Sequence, residues 1–187
     1  MRALLFHAPA YTADGYDDTR PRLVRAACKG SDNNVERRDI PENGLSVSDW
    51  YLRNILYIDQ TYNYLYWEGV NSVAYDFSEG FCVAGSDTAA FLENALNQLG
   101  LTRKEANEFI VYWLPLMKEN PYNLIAFQSD SYTQTAQLSI EPAPDTLLRV
   151  FMAWKPLESA VDISTQNLTA PLRTGFTAVE WGGCQVK

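Results

Sequence analysis

The chain has little of what most catalytic and metal sites need. Its 187 residues include one histidine, His7, and three cysteines. A Ser-His-Asp or Cys-His mechanism and a His-ligated metal both require a histidine held by packed neighbours, and His7 lies in a poorly patterned segment. Cys-x-x-Cys pairs, Gly-rich phosphate loops and Asp-x-Asp-x-Asp calcium loops are also missing. Because these motifs are missing, we predict that the protein is not an enzyme and that it binds no cofactor and no metal.

Long apolar runs are missing as well. No stretch reaches the roughly 18 apolar residues of a membrane-spanning helix. The apolar run at residues 3–6 is too short for the central region of a signal peptide. We expect a soluble domain without an export signal in the chain as written.

Cys28, Cys82 and Cys184 are far apart in the sequence and odd in number. This spacing is compatible with a disulfide between Cys82 and Cys184. It is also compatible with a free Cys82 that packs as a small hydrophobic residue in a strand. The sequence does not fix the disulfide state of any of the three.

Acidic residues outnumber basic ones, and the net charge is −8. Residues 1–45 hold seven basic and seven acidic side chains, so the remaining 15 − 7 = 8 basic and 23 − 7 = 16 acidic residues carry the whole excess. An acidic body repels phosphate backbones and anionic lipids. Nucleic acid is therefore not an expected partner.

Apolar residues make up 47% of the chain and aromatic residues 13%, a balance typical of a folded, strand-rich domain. Residues 1–45 show no period of 2 or 3.6, and we expect little regular structure there. We assign residues 46–187 to a single β-rich domain.

Strand patterns recur after residue 46. They are predicted at residues 49–52, 55–58, 62–67, 73–77, 80–84, 124–128, 136–140, 146–154 and 176–181, with a polar crossing at 156–173.

A short helical pair interrupts the strands. Residues 88–99 repeat apolar side chains on one face, with Ser86 or Asp87 as the N-cap and Gly100 just after the end. Thr102 and Glu105 form a capping box that opens a second helix over about 103–108.

Residues 109–114 could continue that helix, but their β-branched and aromatic content favours a strand, paired with 124–128 as a hairpin. The predicted fold is mainly β with a short helical pair, either β-sandwich-like or α+β.

Several sequence blocks resemble a group of uncharacterised bacterial proteins, mostly from clostridia-like anaerobes. The blocks lie at residues 62–69, 80–88, 105–115, 120–125, 149–157 and 175–183. The resemblance implies an exported or cell-envelope protein, located outside the cytoplasm or at the cell surface, and it implies no activity. Such proteins open with a signal sequence and further strands, which residues 1–45 do not resemble.

Aromatic density suggests a binding function. Tyr64, Tyr66, Trp67 and Trp181 could form a platform that stacks on sugar rings, although core packing explains the same residues. We predict a non-enzymatic extracytoplasmic binding or structural domain of the cell envelope, with a glycan or a surface protein as partner.

Two other functions stay open. Glu68, Asp76 and Glu108 could supply the carboxyl pair of a glycan hydrolase if two of them lie about 5–9.5 Å apart in one cleft. Glu79 and Asp87 are more typical of a turn and a helix start. The chain could also be a fragment of a larger surface protein.

Overall fold

The computed structural model describes residues 74–141 and 143–186, and backbone segments at 2–8, 11–12, 15–16, 25–30 and 65–68. In those segments, and at residues 135, 137, 139 and 141, nothing is described beyond the backbone. The strands predicted at 49–52 and 55–58 lie outside the described residues.

The described strands are β1 Arg2–Ala8, β2 Tyr11–Thr12, β3 Gly15–Tyr16, β4 Arg25–Gly30, β5 Leu65–Glu68, β6 Glu79–Ala84, β7 Tyr122–Phe127, β8 Ala136–Glu141, β9 Thr146–Leu157, β10 Ser164–Thr165 and β11 Thr177–Gln185. The described α-helices are α1 Thr88–Gln98, α2 Arg103–Met117 and α3 Ser129–Thr135, and a 3₁₀ turn at Gly85–Asp87 precedes α1.

Most strands join one mixed sheet in the order β10-β6-β7-β9-β11-β1-β5. β7 runs antiparallel to β6 and β9, whereas β9 and β11 run parallel. Two small sheets, β2–β3 and β4–β8, accompany it. The fold is thus α+β with mainly sheet, so the α+β prediction is confirmed, and the described residues show no β-sandwich.

The N-terminal region takes part in this sheet. β1 lies between β11 and β5 and is antiparallel to both, and β4 pairs with β8. The prediction of little regular structure before residue 46 is therefore wrong for residues 2–8 and 25–30. Partners far along the chain supply the backbone hydrogen bonds there, and neither segment alternates polar and apolar residues in a way that would mark a strand.

Helices α1 and α2 cover one face of the sheet. Their apolar residues recur at helical spacing and pack on alternate residues of the strands, as the two periods require. Large buried side chains of this layer include Leu92, Leu96, Phe109, Trp113 and Met117 from the helices, and Ile125, Phe127, Met152, Trp154 and Trp181 from the strands.

The predicted start of the helical pair is confirmed. α1 occupies residues 88–98, and Gly100 follows with a φ of 89°, a conformation that glycine adopts without strain. The Thr102 hydroxyl accepts from the Glu105 N–H, while the Glu105 carboxylate accepts from the Thr102 N–H.

The strand predicted at 109–114 is wrong, because α2 continues through it to Met117. Phe109, Trp113 and Met117 are buried at a spacing of four, while Val111 between them is 65% exposed. The hairpin with 124–128 is wrong for the same reason, since β7 pairs with β6 and β9. Residues 74–77 also form no strand.

A long connection links β9 to the parallel strand β11, and we call residues 158–176 the crossing segment. It is mostly exposed and contains β10, which pairs with the start of β6 at the sheet edge. The predicted polar crossing is confirmed. Within the described part of the chain, no helix has both the length and the apolar character that a membrane crossing requires.

Candidate functional site

A cleft of about 520 Å³ opens where β7 ends and β9 begins. Its floor includes Phe127, Leu147 and Leu148, and its three walls are the segment before β6, helix α3 and residues 166–171 of the crossing segment. Polar groups dominate the walls. They are the hydroxyls of Ser78, Ser129, Ser131, Thr133 and Thr169, the amides of Gln128, Gln166 and Asn167, and the carboxylates of Asp76, Glu79 and Asp130.

Gln128 fixes the wall that precedes β6. Its side-chain Nε2 donates to the Asp76 carbonyl, and its Oε1 accepts from the Asp76 N–H at 3.3 Å. Gln128 is buried directly after β7. This two-point contact joins segments that are 52 residues apart.

Gln166 fixes the crossing-segment wall by the same arrangement. Its Nε2 donates to the Phe127 carbonyl at 2.7 Å, and its Oε1 accepts from the Phe127 N–H at 2.8 Å. Gln166 satisfies the backbone donor and acceptor of Phe127, and Gln128 satisfies those of Asp76, so neutral hydrogen bonds hold two walls of the cleft.

A buried polar network holds helix α3 against strands β9 and β11. The Tyr132 ring stacks on Phe151 with centroids 4.3 Å apart, and its hydroxyl donates to the Glu180 carboxylate at 2.8 Å. Glu180 forms an ion pair with Arg149, whose Nη1 donates to the Ala136 carbonyl where α3 ends. These contacts position the wall that carries Ser129, Asp130, Ser131 and Thr133.

The charge of the cleft is negative. Arg149 also lines it, but the guanidinium is buried against the Glu180 carboxylate, which offsets its charge. Among the described residues, the remaining charged groups of the lining are the carboxylates of Asp76, Glu79 and Asp130. The cleft therefore disfavours phosphates and other anions.

Asp76 accepts two hydrogen bonds from Ser78. The backbone N–H of Ser78, at 2.8 Å, lowers the pKa of the Asp76 carboxyl most, and the Ser78 hydroxyl, at 3.0 Å, lowers it further. Asp76 is consequently ionised at neutral pH and can accept hydrogen bonds from a ligand. A general acid needs the opposite shift.

Trp181 is the member of the predicted aromatic platform whose side chain is described, and it does not line the cleft. Trp181 is 2% exposed and packs against Phe109 of α2, with ring centroids 5.2 Å apart. It is buried between the helices and the sheet, so its assignment to a ligand platform is wrong. Tyr66 and Trp67 belong to β5, beside β1, where only the backbone is described. Tyr64 lies outside the described residues.

Two of the carboxylates predicted for a hydrolase, those of Asp76 and Glu108, do not meet in the cleft. Asp76 lines the cleft, whereas Glu108 lies on α2 and is not part of the lining. Glu68 ends β5, with no side chain described. Glu79, assigned to a turn from the sequence, instead begins β6 and contributes to the cleft.

Cys82 and Cys184 are free thiols. They lie on β6 and β11, and β7 and β9 separate these strands. Strands are spaced by roughly 4.8 Å, so the two residues are too far apart for a disulfide. Cys82 is half-buried in its strand, as one interpretation predicted, and burial raises the pKa of the Cys184 thiol. Cys28 lies on β4, described by its backbone alone.

His7, the chain's one histidine, lies on β1, opposite Ala178 of β11. Among the described residues, no group of three or more histidine, cysteine or acidic side chains is arranged to hold a metal ion.

Sequence reasoning missed the glutamines and the Arg149–Glu180 pair. A signal existed for the pair, because Arg149 and Glu180 each interrupt an otherwise apolar strand and a buried charge requires a partner. Gln128 and Gln166 gave no comparable signal, since polar residues between strands are ordinary in loops.

Comparisons of the chain with protein-family models, with curated proteins and with solved structures find no match.

Proposed function

We propose that this protein is a non-enzymatic binding domain of the bacterial cell envelope, acting outside the cytoplasm, and that it holds a glycan segment in the cleft beside α3. The polar lining of the cleft carries this proposal. Hydroxyl and amide side chains from its walls can donate to and accept from the hydroxyl and acetamido groups of sugars.

The floor of the cleft supports the same ligand class. Leu147, which is 38% exposed, provides apolar contact for the C–H face of a sugar ring, and Asp76 adds an ionised acceptor for ring hydroxyls. Recognition rests on hydrogen bonds rather than on stacking, because the aromatic ring among the described lining residues, Phe127, is itself buried. The resemblance to envelope proteins supports the location.

Blocking the floor tests the proposal. Leu147 is 38% exposed, and Leu147→Trp would fill the space above it. We expect wild-type protein to bind at least one member of a set of neutral trisaccharides, with and without N-acetyl groups, by titration calorimetry, and Leu147→Trp to weaken that binding at least about tenfold, which is about 1.4 kcal/mol.

Val161→Trp is the matched control, because Val161 is similarly exposed, at 43%, and does not line the cleft. No saturable binding to any trisaccharide, or equal loss in both variants, would contradict the proposed site. Fractionation of native cells tests the location, and a cytoplasmic protein would contradict it.

A carboxylate-based glycan hydrolase is the second candidate, favoured by one observation. Asp76, Glu79 and Asp130 line the same cleft. If the bound trisaccharide is cleaved over time, and Glu79→Gln or Asp130→Asn abolishes the cleavage, the domain is an enzyme. An intact ligand after long incubation supports the binding domain.

A further inference from the structure

The pairing of β6 with β7 stops before β7 ends. The ladder runs from Ala84 beside Tyr122 to Phe81 beside Ile125. Phe127 lies two residues further on, and its N–H and carbonyl face Gln166. The Gln166 amide thus takes the place that a neighbouring strand would hold.

The position of Gln166 in the chain links this contact to the cleft. Gln166 follows β10 directly and begins the wall that continues through Asn167, Leu168 and Thr169. Leu168 packs against the helix-side core, while Asn167 and Thr169 are exposed and line the cleft. The contact between Gln166 and Phe127 therefore fixes the position at which this wall begins.

A second anchor holds the crossing segment at its far end. Arg173 donates to both carboxylate oxygens of Glu105, at 2.8 and 3.0 Å, and to the Gly100 carbonyl at 3.1 Å. Arg173 does not line the cleft. Gln166 therefore holds the segment at the cleft and Arg173 holds it away from the cleft, in addition to the pairing of β10 with β6.

We infer that Gln166 is a positioning residue for ligand recognition, which places Asn167 and Thr169 against a bound glycan by pairing with the backbone of Phe127. This inference rests on the proposed function. It assigns to Gln166 a part in affinity that Arg173, on the same segment, does not have.

Two substitutions separate the hydrogen bonds from the bulk of the side chain. Gln166→Glu keeps the shape and still accepts from the Phe127 N–H, but a carboxylate has no donor for the Phe127 carbonyl and repels it. Gln166→Met keeps most of the length and removes both hydrogen bonds. Arg173→Met is the control, because it releases the same segment at its other anchor.

The first readout is the backbone order parameter S² from NMR relaxation, which needs no ligand. Both Gln166 variants should lower S² at residues 167–169 towards the values below about 0.6 that mark flexible backbone, because the contact with Phe127 is weakened or lost. Arg173→Met should lower S² mainly around residue 173. Unchanged S² at 167–169 in both Gln166 variants overturns the inference.

The second readout is the affinity for tri-N-acetylglucosamine, measured by calorimetry. We expect about a tenfold loss in each Gln166 variant and less than about a twofold change in Arg173→Met. Equal losses in all three variants would make the role of Gln166 merely structural and overturn the inference. If wild-type protein does not bind this sugar, the choice of ligand fails, and the order parameters at 167–169 alone then decide whether Gln166 positions the wall.

Discussion

Glu105 makes two kinds of contact at the start of α2. Its carboxylate accepts from the Thr102 N–H within the capping box and from Arg173, 68 residues away on the crossing segment. The side chain is 8% exposed, against 23% for that of Arg173. Burial acts to raise the pKa of the Glu105 carboxyl, but the hydrogen bonds from Arg173 and Thr102 outweigh it and the pKa is lowered.

This pKa shift predicts a pH dependence. The folded-state pKa lies below the unfolded value near 4.5, so the contribution of Glu105 to stability is present above that value and is lost as the pH falls through the folded-state pKa. Glu105→Gln should therefore lower the free energy of unfolding by about 1–3 kcal/mol at pH 7. The difference from wild type should shrink below pH 4, measured by urea denaturation.

Glu119→Gln is the control, since the Glu119 side chain is 83% exposed and its ion pair with Lys118 lies at the surface. A Glu105→Gln effect of equal size at pH 7 and pH 3 would contradict the assignment.

The capping box was predictable because its two residues are neighbours in sequence. Arg173 was not, because nothing local marks which distant cation reaches a capping carboxylate.

At the scale of elements, α2 shows how local composition misleads. Residues 109–114 are rich in β-branched and aromatic side chains, which favours a strand. Burial at a spacing of four through Phe109, Trp113 and Met117 outweighs those preferences, because the sheet offers this face a place to pack. The helix therefore tolerates Pro115 in its last turn.

That tolerance has a cost, which predicts a stabilising substitution. Pro115 cannot donate to the Val111 carbonyl, and its ring crowds that group. Pro115 and Val111 are both exposed, so Pro115→Ala should not disturb the core. We expect the free energy of unfolding to rise by about 1–3 kcal/mol, measured by urea denaturation with circular dichroism.

Thr102→Ala, at the other end of α2, should act in the opposite direction and lower stability by about 1 kcal/mol through loss of the N-cap. A loss of stability in Pro115→Ala would show instead that the proline is needed to end the helix before Asn120.

At the scale of the whole molecule, the sequence predicted most of the helices and strands but not how they pack together. α1, β6, β8, β9 and β11 carry their own periodicity or boundaries, and each was predicted close to its place. The cleft is different, because its walls come from segments near residues 76, 130 and 168, brought together by strand order and by two glutamines. Strand order follows from long-range pairing, which no local pattern encodes.

The assembly predicts that the helix layer and the sheet unfold together. β9 lies between β7 and β11, and Val150, Met152 and Trp154 pack under the helices. Leu92 of α1 belongs to the same core and is 0% exposed. Leu92→Ala should lower the free energy of unfolding by about 2–5 kcal/mol. Amide exchange protection in β9 should fall by the same amount as in α1, since both open only by global unfolding.

Leu172→Ala makes the same chemical change on the crossing segment, where the side chain is 86% exposed, and should leave both elements unaffected. If protection in β9 persists while α1 exchanges freely in Leu92→Ala, the helices form a separate unit on a sheet that is stable alone. Equal losses of exchange protection in α1 and β9 would show that contacts between the helices and the sheet stabilise both elements. Asn167 and Thr169 of the cleft wall are exposed and lie outside that interface, so they can vary without loss of the fold.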